Sequence, residues 1–267
     1  MNNRPIGIFD SGVGGLTVVK DVMKQLPNES IVYFGDTARV PYGSKSKGTV
    51  TKFSAQIIRF LIKQDVKAII IACNTVNSNC IEELRAQFPD IPISGVVEPG
   101  VAMALRTTKN KRIGVIGTEA TINSGRYPEL LKSANKELEV FGKACPVFVP
   151  LVEDGWAEHH VTQEVASVYL AELLEQKIDS LILGCTHYPM LTSTIQKVVG
   201  AEVTLLNPAN EAAHQMGEFL REHALCSEVL PTYKFYVSDH AERVKSVAKM
   251  FLDYPVEEVD TIDIERY

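Results

Sequence analysis

The sequence predicts an α/β protein of two similar parallel-sheet domains related by pseudo-symmetry, with the active site in the cleft between them. Three observations carry that expectation. Short β-branched runs alternate with helical patterns along nearly the whole chain, several of those runs are apolar without interruption, and two landmark segments recur in the same order. Alternation at this frequency marks βαβ units and a parallel sheet. Strands such as Ala68-Ile69-Ile70-Ile71-Ala72, apolar at every position, fit a sheet covered on both faces.

Taken in chain order, strands are expected at residues 5–9, 30–34, 67–73, 93–97, 112–116, 147–150, 179–184, 202–205 and 234–237. Segments 49–63, 162–175 and 211–222 between them carry apolar residues at helical spacing. The repeat is visible twice. Ile6-Gly7-Ile8-Phe9-Asp10-Ser11-Gly12 is echoed by Ile113-Gly114-Val115-Ile116-Gly117-Thr118, with Gly7 and Gly114 107 positions apart. Ile69-Ile70-Ile71-Ala72-Cys73-Asn74-Thr75 is echoed by Leu181-Ile182-Leu183-Gly184-Cys185-Thr186-His187, with Cys73 and Cys185 112 apart. In an open parallel sheet, ligands gather beyond the carboxyl ends of the strands. The chemically unusual residues Asp10, Ser11, Cys73 and Cys185 fall there, so two facing halves would put one thiol on each wall of a cleft.

Bulk composition excludes several classes. The chain has 267 residues, 22% of them charged, and a formal net charge of −6, with Lys and Arg dispersed. That is no footprint of a nucleic-acid binder, and Lys45, Lys47 and Lys52 read as one solvated helix face. No apolar run reaches the ~18 residues of a membrane span, and no secretory signal opens the chain. Membrane and nucleic acid are therefore not expected partners, and a cytoplasmic protein is expected. Five cysteines at wide spacing argue for reduced thiols rather than a disulfide framework. No close Cys/His cluster suggests a metal.

Cys73 and Cys185 are the candidate chemical centres. Each follows a buried strand and precedes a polar turn, where a helix N-terminus would favour thiolate over thiol. Lowering a thiol's pKa by ~1.5 units, to half ionisation near neutral pH, needs about 2 kcal/mol of such stabilisation. Singly, each reads more readily as a small buried hydrophobe; the mirrored context is what singles them out. Cys80, Cys145 and Cys226 lack that context. His187, two residues past Cys185, is a candidate acid or base. Asp10 would meet a substrate ammonium or cap the next turn. Glu153 is placed after an apolar strand as a further acid. The Gly12-Val13-Gly14-Gly15 turn fails the dinucleotide fingerprint, because Thr17 stands where its last glycine belongs, but its N–H groups could hold a carboxylate.

With these residues assembled, the chain resembles the bacterial glutamate racemases. The matching segments are Ile6–Gly15, Tyr33-Phe34-Gly35-Asp36-Thr37 with Pro41-Tyr42-Gly43, Ala72–Thr75, Glu98-Pro99-Gly100 and Leu183–Pro189. The resemblance implies cofactor-independent, two-base interconversion of L- and D-glutamate, with no pyridoxal phosphate or metal, supplying D-glutamate for peptidoglycan. It implies that Cys73 serves D-glutamate and Cys185 L-glutamate, assisted by Asp10, His187 and Glu153. Substrate contacts would come from Asp10, Ser11, Tyr42, Gly43, Asn74, Thr75, Thr118, Thr121, Thr186 and His187. It further implies a first domain of residues 1–97 and 210–267, a second of 98–209, and a homodimer. Rival readings are a racemase or decarboxylase of the same superfamily acting on aspartate, a hydantoin or a malonate-type acid; a thiol redox protein; and a non-catalytic amino-acid-binding protein.

Overall fold

The computed structural model describes all 267 residues. Two parallel sheets organise the chain. The first half runs β1 (Ile6–Asp10), α1 (Leu16–Gln25), β2 (Ile31–Gly35), α2 (Lys47–Lys63), β3 (Ala68–Ile71), α3 (Asn74–Gln87), β4 (Ile93–Ser94) and α4 (Val97–Thr107). The second runs β5 (Arg112–Gly117), α5 (Glu119–Asn123), α6 (Arg126–Ala134), β6 (Glu139–Ala144), α7 (Phe148–Glu153), α8 (His160–Glu175), β7 (Ser180–Gly184), α9 (Thr192–Val199) and β8 (Thr204–Leu206). The chain then closes with α10 (Pro208–Glu222), β9 (Tyr233–Val237), α11 (Ala241–Phe251) and β10 (Asp260–Thr261).

The sheets are ordered β10-β9-β2-β1-β3-β4 and β6-β5-β7-β8. Removing β9 and β10 leaves 2-1-3-4 against 6-5-7-8, the same winding twice, so the echoed segments occupy equivalent strands. Cys73 follows β3 and Cys185 follows β7, each the strand beside the first strand of its half.

Side-chain alternation places the core. Ile6, Ile8, Ala68 and Ile70 face one way, into an apolar cluster that continues through Leu16, Val19, Ala213 and Leu220 of α1 and α10 to Leu181 and Leu183 of the second sheet. Phe9, Ile69 and Ile71 face the other way, against Ile57, Phe60 and Leu61 of α2. The far face of the second sheet, Ile113, Val115 and Ile182, is covered by Val101, Tyr127 and Leu131. Each such fully buried aliphatic side chain contributes roughly 1.5–3 kcal/mol. The shared cluster leaves the two sheets standing side by side with their strand ends facing one cleft.

One buried ion pair fastens the opposite end. Lys67, just before β3, has a fully buried side chain with its Nζ 2.5 Å from Glu29. It also donates to the carbonyls of Asn2 (2.8 Å) and Leu225 (2.7 Å).

The structure corrects several expected elements. Residues 147–150 are not a strand: they lead into α7, with Pro150 in its first turn, where a missing N–H costs little. The strand of that region is β6, six residues earlier in the sequence than expected at its end, and it lies at the sheet edge. Its residues are half-exposed, so it lacks the apolar signal of a central strand. The strand expected at 93–97 stops at Ser94. The Asn77 side chain packs on Gly95, and its Oδ1 accepts from the Val97 N–H at 2.6 Å, which starts α4. The strand expected at 67–73 ends at Ile71, because Cys73 already caps α3.

Candidate active site

A cavity of about 240 Å³ lies in the cleft between the strand ends of the two sheets. Cys73, Asn74 and Thr75 line it from the first half, and Cys185, Thr186 and His187 from the second. Ser11, Gly12, Tyr42, Gly43, Thr118 and Glu153 complete its polar wall, and Val40, Pro41, Val149 and Pro150 its apolar one. No lysine or arginine lines it. Apart from His187, the donors available to an anionic ligand there are neutral: hydroxyls, the Asn74 amide and backbone N–H groups.

Cys73 is the N-cap of α3, and its thiol lies 3.4 Å from the Ser11 hydroxyl. The expected depression of its pKa by the helix terminus does not prevail. Burial, followed by the negative charge of Asp10, pushes the thiol up to about 12, and the donors Ser11 and Val76 N–H only partly oppose this. At neutral pH this sulfur is thus a protonated acid.

The Cys185 wall is built differently. No α-helix starts there; a single 3₁₀ turn, Tyr188–Leu191, follows instead. The helix-terminus expectation made for both thiols therefore holds in geometry for Cys73 alone. Beside Cys185 stands an imidazole, with His187 Nδ1 3.9 Å from the sulfur and Nε2 3.0 Å from Glu153 Oε1. Burial works against a charged His187, but hydrogen bonding to Cys185 and Glu153 and the nearby negative charges outweigh it, raising its pKa to about 10. Glu153 is held below its ordinary value, chiefly by the His187 hydrogen bond. Its expected position is corrected: it ends α7 rather than following a strand.

Asp10 does not line the cavity. It is buried at the end of β1, where one carboxylate oxygen accepts from the Gly15 N–H at 2.9 Å, the turn-capping alternative. Burial raises its pKa, opposed first by the charge of His187. Its other oxygen is buried without a partner. Thr121 is likewise behind the wall, accepting from Thr118 Oγ1 at 3.0 Å, while Thr118 Oγ1 lies 2.9 Å from Thr75 Oγ1 across the two halves. Thr17 Oγ1 makes a second cross-link, donating to the Thr186 carbonyl at 3.1 Å.

Three supporting contacts emerge only with the fold. The Tyr127 hydroxyl donates to Asn74 Oδ1 at 2.8 Å, fixing which way that amide faces. The Tyr42 hydroxyl bonds Asp36, whose Oδ2 is also 2.7 Å from Arg39 Nε. Arg243 NH2 lies 3.2 Å from Glu153 Oε2. Tyr127 and Arg243 lie outside any motif, and although Asp36 and Tyr42 belong to matching segments, only the fold shows the bond between them. Of the remaining cysteines, Cys80 and Cys145 are buried and Cys226 half-buried, all unpaired and none on the cavity wall.

Residues 10–216 match the family model described as Asp/Glu/Hydantoin racemase. The chain is similar to the glutamate racemase of Geobacter metallireducens, with 45% identity over 98% of this chain and 97% of that one. It is also similar to that of Neisseria meningitidis, at 43% identity over the same shares. Among solved structures, the glutamate racemase of Francisella tularensis in complex with D-glutamate superposes with a TM-score of 0.94 at 41% identity, covering both chains fully.

Proposed function

The chain belongs to the Asp/Glu/hydantoin racemase family, and from that premise we propose that Cys73 and Cys185 are the two bases of a cofactor-independent racemisation. The reaction is the interconversion of L- and D-glutamate, and its product supplies the D-glutamate of peptidoglycan. One observation supports the two-thiol reading above the rest: sulfurs from repeat-equivalent positions line a single cavity from opposite halves.

Inverting a stereocentre by proton exchange needs a base on one face and an acid on the other. With L-glutamate bound, the Cys185 thiolate takes the α-proton, and the Cys73 S–H gives its own proton to the opposite face. D-glutamate forms, leaving Cys185 as thiol and Cys73 as thiolate, the arrangement that accepts D-glutamate for the reverse passage. The raised pKa of Cys73 suits it as the acid of the first passage. His187, held protonated by Glu153, sets a positive charge beside Cys185. No electron sink is required of a cofactor if the carbanionic charge is met by fixed donors in a dry site. Asn74, Thr75, Ser11, Thr118 and Thr186 are donors of that kind, and the first N–H groups of α3 have no partner within the helix. Tyr42 and Gly43 close the other side. Asp10 and Thr121 act from behind, Asp10 through the charge it presents to Cys73 and His187.

The same proposal divides the chain into 1–97 with 210–267 and 98–209, in accord with the strands each sheet contains. It further includes a homodimer in the cytoplasm; five unpaired thiols suit a reducing compartment. No helix is long and apolar enough to cross a membrane.

The deciding experiment follows L-glutamate in deuterium oxide by circular dichroism and mass spectrometry. Early D-glutamate should carry one deuterium at Cα, while recovered L-glutamate remains mostly protiated. Product that retains the original protium would mean a single group returns the proton, and the two-thiol reading would fail. Cys73→Ala and Cys185→Ala should each abolish racemisation with the fold intact.

A further inference from the structure

Glu153 is held from both sides, and the second hold comes from the other half of the molecule. Its Oε1 accepts from His187 Nε2 at 3.0 Å, and its Oε2 pairs with Arg243 at 3.2 Å. Arg243 belongs to α11, which packs along β9 and α1 of the first sheet's half. The same helix sends Phe251, buried, against the His187 ring, with centroids 6.2 Å apart and planes at 87°. A helix of one half thus grips both members of the acid–base pair belonging to the other.

We propose that Arg243 is a positioning residue for proton transfer at Cys185, acting through Glu153. A carboxylate held by one oxygen alone can swivel and exchange oxygens at the imidazole. With Arg243 on the second oxygen, Glu153 keeps one orientation, and His187 keeps Nδ1 3.9 Å from the sulfur. This rests on Cys185 being the base that serves L-glutamate. The Arg243 side chain is 60% exposed, so the effect is bounded: a pair of this kind supports about a two- to fivefold change in rate.

Enantiomers have an equilibrium constant of unity, so any variant must lower kcat/KM equally in both directions. The wall that is affected shows instead in isotope effects. With α-deuterated L-glutamate, the deuterium leaves through Cys185; with α-deuterated D-glutamate, it leaves through Cys73. Raising the Cys185 barrier alone increases the isotope effect from L-glutamate and decreases that from D-glutamate.

The test compares wild type with Arg243→Met and Arg243→Lys, using both deuterated substrates and thermal melting. The expected result for Arg243→Met is a two- to fivefold loss of kcat/KM, opposite shifts of the two isotope effects, and an unchanged melting temperature. Arg243→Lys should restore most of the wild-type pattern. Unchanged kinetics would make the pair a surface contact, and a rate loss with both isotope effects moving together would make it structural; either result overturns the proposal. Failure of the underlying two-thiol reading is seen separately, in wild type, as D-glutamate that keeps the α-hydrogen of the L-glutamate it came from.

Discussion

Gly14→Ala is the perturbation whose consequence the structure fixes most tightly. Gly14 lies where α1 approaches the second half, and a Cβ built there would sit 2.5 Å from His187 Nδ1 and 2.6 Å from Cε1, besides overlapping Thr186 Oγ1. Ordinary carbon contacts begin near 3.5 Å, so either the imidazole or the turn must retreat by about 1 Å. The ring cannot yield cheaply, since Glu153 holds its far nitrogen at 3.0 Å and Phe251 lies against it. Overpacking of this kind costs about 1–3 kcal/mol of stability, which leaves the fold in place. A displacement of 1 Å at a proton-transfer group costs on the order of 10²-fold in rate. Racemisation followed by the circular dichroism of L-glutamate should therefore fall about a hundredfold while the far-ultraviolet spectrum is retained. Gly48→Ala is the control, because a Cβ there meets nothing within 4 Å, and a residue in α2 gains up to about 1 kcal/mol from the change. If Gly14→Ala kept more than half the wild-type rate, the claim that His187 must stay in place beside Cys185 would be wrong.

Lys67→Met removes one partner of a buried pair and strands the Glu29 carboxylate. A loss of about 3–5 kcal/mol in urea unfolding is expected, with KM unchanged in whatever fraction folds; a variant as stable as wild type would mean the pair is solvated. Alkaline pH should destabilise the protein through His187. A histidine raised from 6.5 to about 10 in the folded state contributes stability that is fully present below about pH 6.5 and lost as the pH climbs through 10. Cys73 adds in the same sense, but only above about pH 9. Melting temperatures of His187→Gln should accordingly fall less than those of wild type between about pH 7 and 9, and parallel curves would refute the assignment of that charge. Cys226→Ala, altering a half-buried thiol away from the cavity, should leave kcat and KM within about twofold; a large kinetic change would show that the reactive thiols have been misidentified.

What was legible in the sequence follows burial. Central strands such as β1, β3, β5 and β7 are covered on both faces and read as unbroken apolar runs, so their positions and the repeat between them could be found directly. Edge strands β6 and β10 are partly exposed and were missed for lack of that signal. The residues after β3 and β7 could be singled out because the strand ends of parallel sheets are where sites form. Residues that act through another side chain could not. Tyr127 reads as an ordinary core aromatic until its hydroxyl is found on Asn74, and Arg243 reads as one charge on an amphipathic helix. The pKa of Cys73 departs from what local sequence implies for a related reason. Local sequence shows the helix that follows it, whereas burial and the charge of Asp10, which dominate, arise from residues some sixty positions away.

The duplicated winding also explains why the two walls can differ. A racemase faces mirror-image substrates of equal free energy, so the scaffold must supply two proton donors and acceptors, yet nothing requires their surroundings to match. Here the first wall surrounds its thiol with a hydroxyl, a helix N-terminus and a buried carboxylate, and the second with an imidazole backed by a carboxylate. One wall raises its thiol toward the neutral acid, while the other places a cation beside its sulfur. In the free protein the raised pKa of Cys73 favours the arrangement in which that thiol keeps its proton. Because kcat/KM must remain equal in both directions, the preference can appear only in kcat and KM separately, and in the isotope effects of each direction. Exchanging the supports, with His187→Asn on one wall and Ser11→Ala on the other, should move those isotope effects in opposite senses. Movement in the same sense would mean that the cavity responds as a whole, and that the difference between its walls has no kinetic consequence.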